Sequence, residues 1–441
     1  MSNYRVQVNK KWVFGSLYAL LMLLVFVRYV FQIDFPPFIL LAITILMACL
    51  GDRNEILAVC MLCIPLTTAF QYTYALLFAL LLYLAKYSDS IRMDATVIPI
   101  LLLVLWELFH CLVGDFSIKQ LVVMFLPYLL CGILMWQDAE NVDYAYVARA
   151  FAGCVCVMCI TLVAMVLVRT DFNLAAAYVR MQRLGSASEN SGEISLVLNP
   201  NSLGTMCALA VSCLLQLIST GKKKTLDVVI VIVLLMCGAL SLSRTYLALI
   251  LIMAALFWLA QEGSMGKKLR FLVVLVLIGM LAFGMLYLLF PAAIEEYITR
   301  FQVGDLTTGR SVLFRMYHQF LLSSYDILFF GIGLTNFTER IMGMSDAYNV
   351  PHNGFQEAAV AWGVIGLALF LAFVIVMVLQ AEKSCRRRTL LSYIPLLLLL
   401  AKIQAGQMLT SDYTMLLFAL CYLSLCQEFT PRRSARIGRR R

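Results

Sequence analysis

The sequence predicts an all-α, polytopic membrane protein, and three observations carry that prediction. Apolar residues make up 62% of the chain and charged residues 13%, a balance outside the range of soluble globular domains. The apolar residues fall in runs of roughly fifteen to twenty with almost no charge between their ends, close to the length that crosses a bilayer as a helix. Most of the 34 Lys and Arg then lie on one side of a single topology, as the positive-inside rule requires.

In chain order the runs fall near 12–31, 38–50, 56–70, 72–86, 96–113, 118–136, 146–168, 201–219, 226–240, 245–261, 271–290, 355–380, 390–408 and 413–428. Those at 38–50, 56–70 and 226–240 are shorter than an untilted crossing, so the expected count is about 12–14 transmembrane helices, the short ones re-entrant or paired. With both termini cytoplasmic, Arg5, Lys10, Lys11, Arg53, Lys86, Arg92, Arg149, Lys222 to Lys224, Lys267, Lys268, Arg270, Lys383, Arg386 to Arg388 and the six arginines from Arg432 to Arg441 fall inside. The remainder sit outward, mostly in two long segments, 169–200 and 291–351, where the charge rule is weak.

The first run follows Arg5, Lys10 and Lys11 and lacks a small-residue cleavage site, so it reads as an uncleaved anchor. The basic tail, 429–441, reads as cytoplasmic and drawn to anionic lipid rather than to nucleic acid. No internal repeat or linker divides the chain, so residues 1–441 read as a single membrane domain with two outer elaborations. The 14 cysteines lie almost wholly in or beside apolar runs. Neither Cys60-x-x-Cys63 nor the group Cys154, Cys156 and Cys159 has a histidine or carboxylate at ligand spacing, which favours packing over a metal site or disulfides.

Polar residues inside the runs are few: Arg28, the pair Glu107 and His110 on one helical face, and Lys402 with Gln404. Such residues can mark an ion or proton path, so a transporter or flippase for lipid-linked oligosaccharide or another solute is the alternative reading. They form no chain of carboxylates through the membrane.

The outward polar residues are more concentrated. Ser241-Leu242-Ser243-Arg244-Thr245 divides one long apolar run into two spans and sets Arg244 at the outer mouth of a hairpin, beside hydroxyl donors and a helix start. Thr308-Gly309-Arg310 opens an amphipathic stretch in which Val312, Leu313, Met316, Phe320 and Leu321 recur at helical spacing, while Ser311, Arg315, His318 and Gln319 share another face. That pattern predicts a helix lying on the outer bilayer surface as a lid. Arginine offers a planar fork for phosphate oxygens, and two outward arginines at helix starts suggest a diphosphate. Of the 3 histidines, His352 stands between Pro351 and Asn353, where the outer segment meets another apolar run. A titratable imidazole there suits acid–base work.

Asn199-Pro200-Asn201, Ser241-Leu-Ser-Arg244, Thr308-Gly309-Arg310, Phe330-Gly331-Ile-Gly333 through Asn336-Phe337, and His352-Asn353 with nine residues before Gly363 and then Gly366 occur in this order. Together they resemble the landmarks of the bacterial O-antigen ligase and O-antigen polymerase family, which includes capsule and exopolysaccharide polymerases. The likeness covers roughly residues 199–366. Before that it is one of topology, and the ligases typically have twelve spans rather than fourteen.

The resemblance implies glycosyl transfer on the outer face of the bacterial cytoplasmic membrane. The donor would be a polyprenyl-diphosphate-linked oligosaccharide and the acceptor a glycan or lipid-glycan hydroxyl, with no cofactor and no metal. By that likeness Arg244 and Arg310 hold the departing diphosphate, and His352 orients or deprotonates the attacking hydroxyl. Arg315, Asn353, Ser243 and Asn201 are supporting candidates. The outer segments are modest in length and include no soluble domain for a protein acceptor, which leans the expectation toward a polymerase.

Overall fold

The computed structural model describes residues 10–91, 93, 95–113, 118–136, 141–173, 183–185, 194, 196–222, 224–260, 265–289, 291, 295, 298–299, 310–334, 337, 341, 351–384, 389–409 and 413–429. Among the described residues the chain is helical, with no strand. The helices are α1 (Lys10–Val30), α2 (Phe38–Leu50), α3 (Arg53–Leu62), α4 (Tyr72–Tyr87), α5 (Val97–Val113), α6 (Ile118–Trp136), α7 (Tyr144–Arg169), α8 (Pro200–Ser219), α9 (Thr225–Leu240), α10 (Arg244–Ala260), α11 (Met265–Leu289), α12 (Arg310–Leu321), α13 (Tyr325–Phe330), α14 (Gly354–Ser384), α15 (Leu390–Gln404) and α16 (Leu417–Leu425).

This is an all-α polytopic membrane protein. Four helices, Lys11–Val30, Tyr144–Arg169, Pro200–Ser219 and Gly354–Lys383, are long and apolar enough to cross a bilayer, and shorter apolar helices accompany them. Apolar side chains on the outside, such as Leu251 on α10 and Leu371, Ile375 and Leu379 on α14, recur at helical spacing as a lipid-facing surface does. Helix α8 runs through the middle, buried along its length and packed against α7, α9, α10 and α15. The expected run at 56–70 is shorter as a helix. Asp52 and Glu55 form a capping box that starts α3, and residues 63–69 continue it as turns, buried through Leu66.

Hydrogen bonds sort the polar ends into two groups at opposite ends of α7, α8 and α9. At one end the Arg149 guanidinium pairs with both oxygens of Asp227 at 2.9 Å and donates to the Lys222 carbonyl, while Asn54 accepts from the Asp143 amide at 2.8 Å. At the other end Arg169 donates to the Ile194 carbonyl at 2.7 Å, and Gln32 exchanges two hydrogen bonds with Ile194. The 26 residues of α7 separate these ends by about 39 Å at 1.5 Å per residue, a full bilayer.

One interruption shapes the site. Helix α14 breaks at Gly363, whose φ of 68° and ψ of −177° are not helical, leaving the last carbonyls before the break without their usual helical partners inside an apolar body. Such groups need partners, and the segment after α13 supplies them. The Ile332 amide donates to Val360 O at 3.0 Å, the Gly333 amide to Ala361 O at 2.7 Å, and the Trp106 indole to Trp362 O at 3.0 Å. A Cβ on Gly363 would lie 2.2 Å from Phe329 O, and one on Gly331 would lie 2.5 Å from Ala361 O, so glycine is required on both sides of the junction. The segment Phe330 to Gly333 thus docks on this break.

Glu107 and His110, candidates for a proton path, serve the same junction. The Glu107 carboxylate accepts from the Trp362 indole at 2.7 Å, and Gly333 packs over the His110 ring. Arg28 pairs with Asp34 at 3.3 Å and sits 5.2 Å from the centre of the Phe35 ring.

Candidate functional site

A cavity of about 510 Å³ is lined by Arg183, Asn201, Arg244, Arg310, His352 and Asn353, together with Thr245, Ser311, Phe314, Gln356, Gln404 and others. Three guanidinium groups face one space, and its described lining residues include no carboxylate.

Four of its walls are helix beginnings, and a fifth is the end of α15 at Gln404 and Ala405. Asn199 caps α8, accepting from the Asn201 amide at 2.9 Å, with Pro200 in the first position. Helix α10 starts at Arg244 after a tight hairpin, helix α12 starts at Arg310, and Asn353 caps α14 by accepting from the amides of Phe355 and Gln356 at 3.0 and 3.1 Å. Four helix N-termini therefore open onto the cavity, each with partial positive charge and amide donors. The nine residues between Asn353 and Gly363 form the short helical segment that carries His352 and Asn353 at its mouth.

The hairpin explains the serines. Leu242 is held at φ 47°, an uncommon conformation for a branched side chain. Ser241 Oγ donates to Gly238 O at 2.6 Å, and Ser243 Oγ donates to Asn201 Oδ1 at 2.8 Å. Gly204 lets α8 approach the hairpin, since a Cβ there would meet Tyr246 Cβ at 2.8 Å. Ser243 thus stands behind the cavity wall and fixes Asn201, which lines it.

Arg183 is the residue that sequence reasoning missed. Leu184 is buried and its amide donates to Leu240 O at 3.0 Å, while Gly185 turns at φ 101° against Leu198. This pins Arg183, whose guanidinium donates to Ser241 O at 3.1 Å and to Asn201 Oδ1 at 3.2 Å. The only signal in the sequence was an arginine in an outward segment that the charge rule left unexplained.

Arg310 Nη1 donates to Ala405 O at 3.0 Å. Burial foremost, and then the nearby Arg244 charge, hold the Arg310 pKa below its ordinary value. Burial likewise lowers His352 below 6.5, with the Arg310 charge adding to the effect, so the imidazole is neutral near pH 7 and able to accept a proton.

Arg315 is exposed on α12 and is not among the lining residues. The buried face of α12 also differs from the expected stripe: Tyr317 is 1% exposed and Val312 57%, with Leu313 and Phe320 partly buried beside Tyr317. Thr308, Gly309, Asn336 and the tail from Arg432 to Arg441 lie outside the described residues. No family model and no curated protein matches this chain.

Proposed function

We propose that the protein is a glycosyltransferase acting at the outer face of a bacterial cytoplasmic membrane, transferring glycan from a polyprenyl-diphosphate-linked donor to an acceptor hydroxyl, in the manner of O-antigen polymerases and ligases. The observation that carries this reading is convergence. Arg244, Arg310, Arg183 and His352 come from separate segments and line one cavity at the mouths of four helices.

A diphosphate diester brings two negative charges and further acceptor oxygens, and guanidinium forks with helix N-termini meet both needs. In the transfer step the acceptor oxygen bonds to the anomeric carbon as the bond from that carbon to the diphosphate oxygen breaks. The electron pair leaves with the diphosphate, where the arginines stabilise the growing charge. The acceptor proton passes to the neutral His352 ring. A site at the end of the bundle lets the polyprenyl chain remain in lipid while its headgroup reacts.

A solute path would need polar groups facing an open route through the bundle. Among the described residues, Glu107 Oε2 accepts from the Trp362 indole and Gln216 donates to Ser424, so these two buried polar side chains hold helices together. This favours the enzyme over the transporter.

The test is transfer in proteoliposomes supplied with lipid-linked oligosaccharide, followed by the length distribution of the glycan product. The wild type is expected to transfer, and His352→Ala to remain folded while slowing the chemistry by ~10²–10⁴, the usual worth of a positioned base. Wild-type transfer by His352→Ala and Arg310→Ala at equal protein levels would overturn the proposal.

A further inference from the structure

We infer that Glu357, which lies outside the cavity, is a positioning residue that sets Arg310 in place through the turn at 405–409. The inference rests on reading the cavity as a diphosphate site.

Two cavity walls come from different helices: His352, Asn353 and Gln356 at the start of α14, and Gln404 and Ala405 at the end of α15. Glu357 lies one turn beyond Asn353, fully buried at 0% exposure. Its Oε2 accepts from the Met408 amide at 2.6 Å and the Leu409 amide at 3.0 Å. The same turn is held from α15, where Lys402, 5% exposed, donates to Gln407 O and to Thr414 Oγ1 at 2.6 Å and lies 5.4 Å from the centre of the Tyr413 ring. Gly354 permits the contact, because a Cβ there would lie 2.6 Å from Met408 Cβ.

Ala405 belongs to the turn so gripped, and its carbonyl is the acceptor for Arg310 Nη1. A continuous set of contacts therefore runs from Glu357 through the amides of 408 and 409 to the carbonyl of 405 and the guanidinium. A carboxyl oxygen accepting two backbone amides is a short-range anchor for the turn, and small displacements of a binding group cost large factors in function. Releasing the turn shifts the Ala405 carbonyl and with it the fork of Arg310.

A purely structural role for Glu357 predicts equal loss whatever stands at 310. A positioning role predicts loss only while Arg310 is present. The experiment is a double-mutant cycle on the full-length protein in nanodiscs, using farnesyl diphosphate as the probe and calorimetric affinity as the readout, with hydrogen exchange followed at Met408 and Leu409. Glu357→Ala is expected to weaken binding ~10-fold in the Arg310 background and by less than about 2-fold beside Arg310→Ala, within the usual range of coupling between linked residues. Faster exchange of both amides should accompany it. Glu357→Gln, which keeps an acceptor oxygen, should retain most of the affinity and provides the same cycle with a smaller factor if the alanine variant does not fold.

Equal losses in both backgrounds, or released amides with unchanged affinity, would overturn the inference. The expected coupling without glycan transfer in proteoliposomes would leave the positioning role standing and remove the glycosyltransferase reading. Wild-type affinity in Arg310→Ala would remove both.

Discussion

Replacing Gly363 by alanine tests the break in α14 directly, and the structure supplies the magnitude. At φ 68° and ψ −177° the backbone occupies a region open in practice to glycine alone, where another residue costs of order 1–3 kcal/mol. The new methyl would also meet Phe329 O at 2.2 Å, Phe329 C at 2.3 Å and Phe330 N at 2.5 Å. These are backbone atoms, so relief means moving the segment that donates from Ile332 and Gly333 to the carbonyls of Val360 and Ala361. Losing those two bonds adds about 1 kcal/mol each. The expected destabilisation of Gly363→Ala is therefore about 3–5 kcal/mol, read as a shift in the midpoint of SDS unfolding in mixed micelles. Gly331→Ala strikes the same junction from the other side, so the double variant should fall short of the sum of the two. A Gly363→Ala protein within about 1 kcal/mol of wild type would refute the requirement for this break.

Three other outcomes are expected. The base form of His352 is lost as pH falls through its pKa, and since burial and then the Arg310 charge lower that pKa, the acid limb of kcat/KM should fall at lower pH than an ordinary imidazole's would. In Arg310→Ala, loss of the nearby positive charge should move this acid limb upward, and a bound diphosphate should move the corresponding limb of kcat upward too, as pH–rate profiles would show. Arg310→Lys keeps the charge but not the planar fork, so transfer should fall by about tenfold or more, and Arg183→Lys should fall in the same direction in the same assay. Fusion reporters at Lys222 and at Asp171 should report opposite sides of the membrane, with Lys222 cytoplasmic; a shared side would break the two-ended arrangement of α7 to α9.

Arg244, Arg310 and His352 were legible because they stand on the outward side of the apolar runs, against the charge rule and beside helix starts, and the fold brings all three to one cavity. Asn201 and Asn353 were named through the resemblance; Asn353 caps α14, whereas the Asn201 side chain accepts from Ser243 and Arg183 at the cavity wall. Arg183 was not legible: it depends on Leu184 burying itself under a hairpin some 60 residues onward, a long-range contact that leaves no local pattern. The break at Gly363 was hidden because apolar residues continue through it without change of period, and only backbone geometry distinguishes it. Tyr317 shows the limit of periodicity on a short helix: the stripe of Leu313 and Phe320 is partly buried as expected, but the most buried residue is Tyr317 beside it, and Val312 of the stripe is exposed. Glu357 and Lys402 gave no signal of their joint role because the turn they hold is recognised through backbone amides and carbonyls, which every residue possesses.

The gathering of Arg183, Arg244 and Arg310 with no carboxylate among the described lining residues has a thermodynamic consequence for the whole molecule. Like charges confined together raise the free energy of the folded state relative to the unfolded chain, where they separate into water. An anion that enters relieves that repulsion only in the folded state, so its binding energy becomes folding energy, rising with the logarithm of its concentration. The amount of intact protein is thereby tied to the supply of any anion that binds in the cavity, and heat resistance in detergent would report that binding.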